Sequence, residues 1–350
     1  MRDHTARPAV PGDIDLMRAC RHDVSLRGSF VSGEFPLLEP PNNSSQARTG
    51  RPRPVPDINL AAYSVFVPPD PFEDHMGPIY YRLDGDARQA GSVHCVLPTH
   101  AAHGNYAGGV HGGALLTFAD YALCLVAGRA ADGGTNTSFA LTVSIAAEFL
   151  DGAHIGPPLE ARGEPLQVTG RLAFARGTIT QEGRTIALWS GVCRHVARAK
   201  AMARKEETGS RPVEAVAQKV PAGFDLFATA SAYSRHIGPI YIKAEPEGAS
   251  AVQPTLPRMC NSGGALHGGY LMSFADSAIT RAAALATEMA PSTVSFAAEF
   301  LSGGDTTAPL TTRVEIPRRG KSIAFLRGLV EQNGRGLLSY SATMMLRPRS

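Results

Sequence analysis

The chain has 350 residues, 43% of them hydrophobic and 19% charged, with a formal net charge of +3. That length holds two domains of ordinary size and that balance suits a soluble globular protein. So small a charge, with no basic stripe interleaved with aromatics, gives no ground for a nucleic-acid partner. The five cysteines, Cys20, Cys95, Cys124, Cys193 and Cys260, are scattered without a CxxC pair. This spacing fits reduced thiols rather than a disulfide framework or a zinc site.

Residues 1–60 are rich in Pro, Arg, Asn and Ser and have no counterpart elsewhere in the chain. They are expected to be a poorly ordered extension. The N-terminus lacks the apolar stretch of a signal peptide. The longest apolar run, Gly112 to Gly128, is shorter than the ~20 residues of a spanning helix and carries Asp120. A cytoplasmic protein without a membrane partner is therefore expected.

Beyond residue 60 the chain repeats itself. GPIY occurs at Gly77 and Gly238, HGG at His111 and His267, AAEFL at Ala146 and Ala297, and QEGR at Gln181 is matched by QNGR at Gln332. The order is the same in both copies. This predicts a tandem duplication, with a first domain over 61–197, a charged linker over 198–221 and a second domain over 222–350.

Each copy predicts the same elements in order. A strand near Ser92 to Leu97, or Ala249 to Leu256 in the second copy, leads through a Gly-rich loop into HGG. From Gly113 to about Ala127 the residues are apolar almost all round, which predicts a helix buried on every side. Val143, Ile145, Ala147 and Phe149 then alternate with Thr142, Ser144, Ala146 and Glu148, the period of a half-buried strand. This alternation groups Thr142 with Glu148, on the solvent face. Asn333-Gly334 marks a hairpin near the end of the second copy. The expected fold is α+β: two units, each an antiparallel sheet curled around one buried helix, joined back to back.

The chemistry concentrates in GGVHGGALLTFAD (108–120) and GGALHGGYLMSFAD (263–276). A helix N-terminus presents unpaired N–H groups and a partial positive charge, and Gly112-Gly113 leaves those donors open to a carbonyl oxygen. A tight turn is the plainer use of Gly-Gly. Asp120 and Asp276 are carboxylates within apolar helices, costly unless hydrogen-bonded or paired, and they recur at the same distance from HGG. Eight residues separate Gly112 from Asp120, about 12 Å along a helix, too far to act on one reacting group. If the two helices lie antiparallel, Asp276 approaches Gly112 and Asp120 approaches Gly268, giving two composite sites.

At these residues the sequence resembles the hotdog-fold thioesterases, specifically the branch typified by the phenylacetic-acid-pathway thioesterase. Its Asn–His–Asp spacing is matched by Asn105, His111 and Asp120 and by Asn261, His267 and Asp276. The resemblance covers both domains but neither the extension nor the linker. It implies hydrolysis of an acyl-coenzyme A thioester. Asn105 and the Gly112 N–H would polarise the carbonyl while Asp276 activates water or attacks directly, and Asn261, Gly268 and Asp120 would form the mirrored site. The resemblance also implies that His111 and His267 hold the loop and the thioester, and that a strand hydroxyl, Thr142 or Thr293, orients the water. Both asparagines also suit turns.

Coenzyme A enters as part of the substrate, and no other cofactor and no metal is required. Its phosphates need cations or free N–H groups. Arg318, Arg319, Gly320 and Lys321 stand where relatives often hold the nucleotide, and the first copy offers only Arg171 there. The two sites are thus expected to differ in affinity for coenzyme A. A homodimer of four hotdog domains is a partner state compatible with the resemblance.

Three other readings fit the sequence less well. A hotdog hydratase pairs an Asp and a His placed close together, whereas the His of each HGG segment precedes its Asp by nine residues. A non-catalytic acyl-coenzyme A sensor would carry a helix-turn-helix, which neither flank resembles. A zinc site from His94, His100, His103 and His111 has no counterpart in the second copy.

Overall fold

The computed structural model describes residues 58–66, 70–84, 92–133, 138–197 and 218–349. The extension falls outside them except for residues 58–60, as does the linker except for 218–221. Fourteen strands form one antiparallel sheet in the order β1-β2-β3-β5-β6-β7-β4-β11-β14-β13-β12-β10-β9-β8. In the first half these are β1 (Ser64–Val65), β2 (Tyr80–Asp84), β3 (Ser92–Leu97), β4 (Ser138–Phe149), β5 (Leu159–Val168), β6 (Leu172–Gln181) and β7 (Arg184–Ala197). The second half repeats them as β8 (Asp225–Leu226), β9 (Tyr241–Glu245), β10 (Gly248–Gln253), β11 (Ala290–Phe300), β12 (Leu310–Arg319), β13 (Ile323–Gln332) and β14 (Arg335–Arg347). The order reads the same from both ends. The halves join where β4 pairs with β11, Ala146 opposite Ala297, inside the repeated AAEFL segments.

Four helices complete the described residues: α1 (Pro71–Met76), α2 (Gly112–Asp132), α3 (Ala232–His236) and α4 (Gly268–Thr287). α2 is longer than the apolar run suggested, because Arg129 and Asp132 extend it to the left-handed cap at Gly133. By length and composition it could cross a membrane, yet 72% of that apolar window is buried within the protein, as a core helix should be. α2 and α4 are the two central helices, buried along most of their length because the sheet covers one side and the opposing helix the other. These are the two like units, each a sheet around one buried helix, that the repeat predicted.

The repeated motifs have physical work to do. Gln181 lies fully buried; its Nε2 donates to the carbonyls of His154 and Pro157 at 2.8 Å each, and its Oε1 accepts from His154 N–H. Gln332 makes the same three bonds with Asp305 and Ala308. Each glutamine thus satisfies a loop that would otherwise bury bare backbone groups. The following Glu182-Gly183 and Asn333-Gly334 have positive φ at both residues, as a two-residue hairpin requires.

Trp189, the largest buried side chain, lies against two glycines. A Cβ on Gly177 would fall 2.2 Å from its Cζ2 and 2.2 Å from the Arg162 carbonyl oxygen. Gly177→Ala is expected to destabilise the fold by about 1–3 kcal/mol through overpacking, read from the urea-unfolding midpoint. Gly170→Ala, which meets nothing within 4 Å, should leave the midpoint in place.

Candidate active site

α2 and α4 run antiparallel and close. A Cβ on Gly113 would sit 3.0 Å from Ser273 Cα, and one on Gly269 would sit 2.7 Å from Thr117 Cγ2. Thr117 Oγ1 donates to the Gly113 carbonyl and stands 3.2 Å from the Gly269 carbonyl, while Ser273 Oγ reaches the same two oxygens at 3.1 and 2.7 Å. The Tyr233 hydroxyl joins them, 2.8 Å from Ser273 Oγ. This fixes the offset of the helices. Asp276 reaches the start of α2, where a Cβ on Gly112 would lie 2.8 Å from its Oδ2. Asp120 reaches the start of α4, 3.0 Å from the corresponding position on Gly268. Both carboxylates are buried, at 5% and 2% exposure for Asp120 and Asp276.

Each helix start is capped by the histidine of HGG. His111 Nδ1 accepts the Gly113 N–H at 2.9 Å, and His267 Nδ1 accepts the Gly269 N–H at 3.0 Å. An acceptor nitrogen carries no proton, so each neutral ring holds its proton on Nε2. The Ala114 and Leu115 N–H groups bond to the His111 carbonyl, leaving the Gly112 N–H as the donor at this end without an intrahelical partner. Gly268 occupies the same place in α4.

The threonines correct the simple alternation. β4 carries a bulge at Val143: Thr142 opposes Cys193 and Ser144 opposes Val192. One extra residue shifts the following side chains to the other face. Thr142 therefore turns inward and donates to Asp120 Oδ1 at 2.6 Å, while Val143 is 40% exposed. A second bulge, at Val294, lets Thr293 donate to Asp276 Oδ1 at 2.9 Å.

Both asparagines bond to their own loops. Asn105 Oδ1 accepts from Ala107 and Gly109 N–H, and Nδ2 donates to the Val110 carbonyl at 3.1 Å. Asn261 Oδ1 accepts from Gly263 and Ala265 N–H at 2.9 and 3.2 Å. These are the bonds of turn residues, and they shape the loops leading into HGG.

Sequence reasoning missed the short helices α1 and α3. They precede the two GPIY segments at the same spacing, and each packs against the histidine of the other half. Phe72 lies 5.3 Å from His267 between ring centroids, and Tyr233 lies 5.0 Å from His111. Behind His267 stand Glu73 Oε1 at 3.5 Å and Asp70 Oδ2 at 3.7 Å. Behind His111 stands Ser234 Oγ at 3.3 Å, joined to Ser231 Oγ at 3.0 Å and Ser277 Oγ at 3.4 Å. The shared spacing to GPIY was the signal that could have found them. Asp70 and His75 also form an Asp-x4-His pair, the close Asp and His that hydratase chemistry would need. The structure separates their partners: His75 stacks on His236 at 3.8 Å, while Asp70 Oδ1 accepts from Ser262 N–H.

Electrostatics follow the same division. Burial holds His111 below the ordinary histidine value, with Asp276 partly opposing it. Burial also pulls on His267, but Glu73, Asp120 and Asp70 outweigh it and raise its proton affinity. Asp120 and Glu73 are both raised, by burial first, with His267 drawing each back down.

Asp70, Glu73 and His267 place three potential metal-ligand atoms within 4.8 Å of one another. The Nδ1 cap leaves the ring proton on Nε2, the nitrogen that faces these carboxylates. The four histidines weighed for zinc have other partners. His94 meets Glu160, His100 and His103 meet the Met76 carbonyl, and His111 caps α2.

Arg319, Gly320 and Lys321 border a cavity of ≈ 400 Å³ with Leu285, Thr287, Glu288 and Met289 at the end of α4. Arg318 is the penultimate residue of β12 and exposed, and Arg319 donates to the Ala286 carbonyl. Arg171 is exposed in the β5–β6 turn, its N–H 3.5 Å from Thr169 Oγ1. Tyr106, in the loop before His111, donates to the Pro291 carbonyl at 3.1 Å. Burial raises its pKa, and Arg347 and Arg349 draw it down. The cations therefore gather on the side of the Gly112–Asp276 pair.

Comparison with known proteins agrees with this architecture. Residues 107–187 match a family model described as thioesterase superfamily, and residues 255–346 match one described as acyl-CoA thioesterase N-terminal domain. No curated protein matches the chain. A protein assigned as thioesterase II from Thermobifida fusca superposes with TM-score 0.52 at 13% identity, covering 81% of this chain and 99% of its own. A hot dog fold protein of unknown function from Alicyclobacillus acidocaldarius gives TM-score 0.52 at 15% identity, covering 80% of this chain and 98% of its own. One assigned as an oleoyl thioesterase from Lactobacillus plantarum gives 0.53 at 10% identity, covering 76% and 100%. Such identities establish the fold alone. The fold is the hotdog fold, and residues 107–187 and 255–346 are each similar to a thioesterase family.

Thr142→Val removes a hydrogen bond that favours the ionised form of Asp120. The Asp120 pKa, followed by carboxyl carbon NMR, should rise further above its ordinary value. An unchanged titration would contradict the bulge geometry.

Proposed function

We propose that the protein is an acyl-coenzyme A thioesterase with two composite centres, one at Gly112 and Asp276 and the other at Gly268 and Asp120. The observation that carries this reading is the placement of each buried carboxylate on the glycine N-terminus of the opposing helix. In the Asp276 centre the thioester oxygen takes the Gly112 N–H, where the developing oxyanion meets a fixed donor and the positive end of α2. Thr293 orients the carboxylate, which takes a proton from water as the hydroxide oxygen attacks the carbonyl carbon. The tetrahedral intermediate collapses, the C–S bond breaks, and the coenzyme A thiolate recovers the proton. The products are a carboxylic acid and a thiol. Asp120, Thr142 and Gly268 have the same parts for the second centre.

Coenzyme A phosphates fit best beside the first. From Asp276 to Glu288, α4 advances about 18 Å at 1.5 Å per residue, and Arg319 and Lys321 border the cavity there. Their repeat counterparts are Val168 and Gly170, followed by Arg171, and the counterpart of Arg347 is Val196. This supports unequal affinity for coenzyme A at the two centres. The Asn–His–Asp spacing supports placement in the phenylacetic-acid branch of the superfamily.

The test is thiol release from a panel of acyl-coenzyme A esters by the wild type and by Asp120→Asn/Asp276→Asn. The wild type should hydrolyse at least one ester, and the double variant should lose 10²-fold or more in kcat, about the scale of a general-base contribution. Binding of esters without thiol release would favour a sensor instead.

A further inference from the structure

The two centres share a backbone plan but differ in what stands behind the histidine. α1 and α3 are equivalent elements, so Asp70, Phe72 and Glu73 correspond to Ser231, Tyr233 and Ser234. The aromatic position is kept as an aromatic. The two polar positions change from carboxylates to hydroxyls.

In both halves the histidine works as a relay of position. Its Nδ1 accepts the N–H of the second glycine, while the first glycine lies beside the carboxylate of the other helix. The cap holds only while Nδ1 is unprotonated, so whatever receives the Nε2 proton selects the useful tautomer. Ser234 Oγ stands there for His111, and Glu73 Oε1 stands there for His267.

We propose that Glu73 is a positioning residue of the Asp120 centre, holding the Nε2 proton of His267 as Ser234 does for His111, and that this exchange of carboxylate for hydroxyl makes the two centres chemically distinct. Glu73 does not reach the start of α4; it acts through the ring. The consequence is electrostatic. Asp120 shares its surroundings with His267, Asp70, Glu73 and Cys124 and accepts from Thr142. Asp276 is faced instead by His111, Tyr233 and Thr293, with the three serines beyond. Asp70 and Glu73 place carboxylates at 3.7 and 3.5 Å from the His267 ring beside Asp120, where the other centre has serine hydroxyls, so removing them should ease ionisation of Asp120. Burial raises the Asp120 carboxyl above its ordinary value, His267 and Thr142 draw it back, and the Asp70 charge adds to the rise.

The inference rests on the thioesterase reading for its kinetic consequence, but the tautomer can be read without turnover. In ¹⁵N-histidine NMR of the whole chain, His267 should show an unprotonated Nδ1 and a protonated Nε2 once the pH exceeds the raised pKa of its ring. Glu73→Gln, which keeps an acceptor oxygen, should preserve that pattern, and Glu73→Ala should mix the tautomers. The same tautomer mixture in wild type and Glu73→Ala would overturn the proposal even if no ester is hydrolysed. For the kinetic consequence, Asp276→Asn isolates the Asp120 centre and Asp120→Asn isolates the Asp276 centre. The acid limb of kcat/KM should lie at higher pH in Asp276→Asn. Adding Asp70→Ser/Glu73→Ser to Asp276→Asn should lower that limb by about one pH unit, while adding the pair to Asp120→Asn should leave its limb in place. Equal limbs in the two isolated centres, or equal shifts in both backgrounds, would overturn the electrostatic distinction. Failure of the wild type to hydrolyse any ester would count against the thioesterase reading alone.

Discussion

The close antiparallel contact of α2 and α4 is the constraint on which the rest depends. Gly113 and Gly269 allow the helix backbones to approach, and Thr117 and Ser273 cross-bond to the carbonyls of those same glycines. A shift of one helical turn, about 5.4 Å, would move both carboxylates off the glycine ends at once. The joint sheet reinforces the offset, because β4 and β11 pair beside the helices in a register set by the two AAEFL segments. Stability and site geometry therefore come from the same contacts. The repeat matters for the same reason: a single half holds a helix start without its carboxylate and a carboxylate without its helix start.

Much of this was legible in the sequence because it depends on periodicity and spacing. The duplicated motifs announced two like domains. The apolar character of the HGG segments announced buried helices, and the eight residues from Gly112 to Asp120 are a length that a helix converts directly into distance. Asn333-Gly334 announced its hairpin by backbone preference alone.

What stayed hidden was set by single-residue irregularity and by contact across halves. A bulge has no reliable mark in an alternating strand, and the one at Val143 reverses where Thr142 points. The asparagines carried two readings, and the turn bonds of their Oδ1 atoms became visible only in the loop geometry. α1 and α3 are too short to carry a helical period, and their polar residues matter only because the fold delivers them to the histidine of the opposite half. The cations at Arg347 and Arg349 likewise gain meaning from their place beside Tyr106.

The central claim is that a glycine of one helix and an aspartate of the other form one centre. A mutant cycle on kcat/KM tests it most directly, since groups acting as a unit are grossly non-additive. Gly112→Ala places a Cβ 2.8 Å from Asp276 Oδ2. Added to Asp276→Asn it should cost little more, because that centre is already lost. Added to Asp120→Asn it should remove nearly all remaining activity, because the surviving centre is then struck. The reverse pattern, with Gly112→Ala redundant with Asp120→Asn and additive with Asp276→Asn, would contradict the composite arrangement.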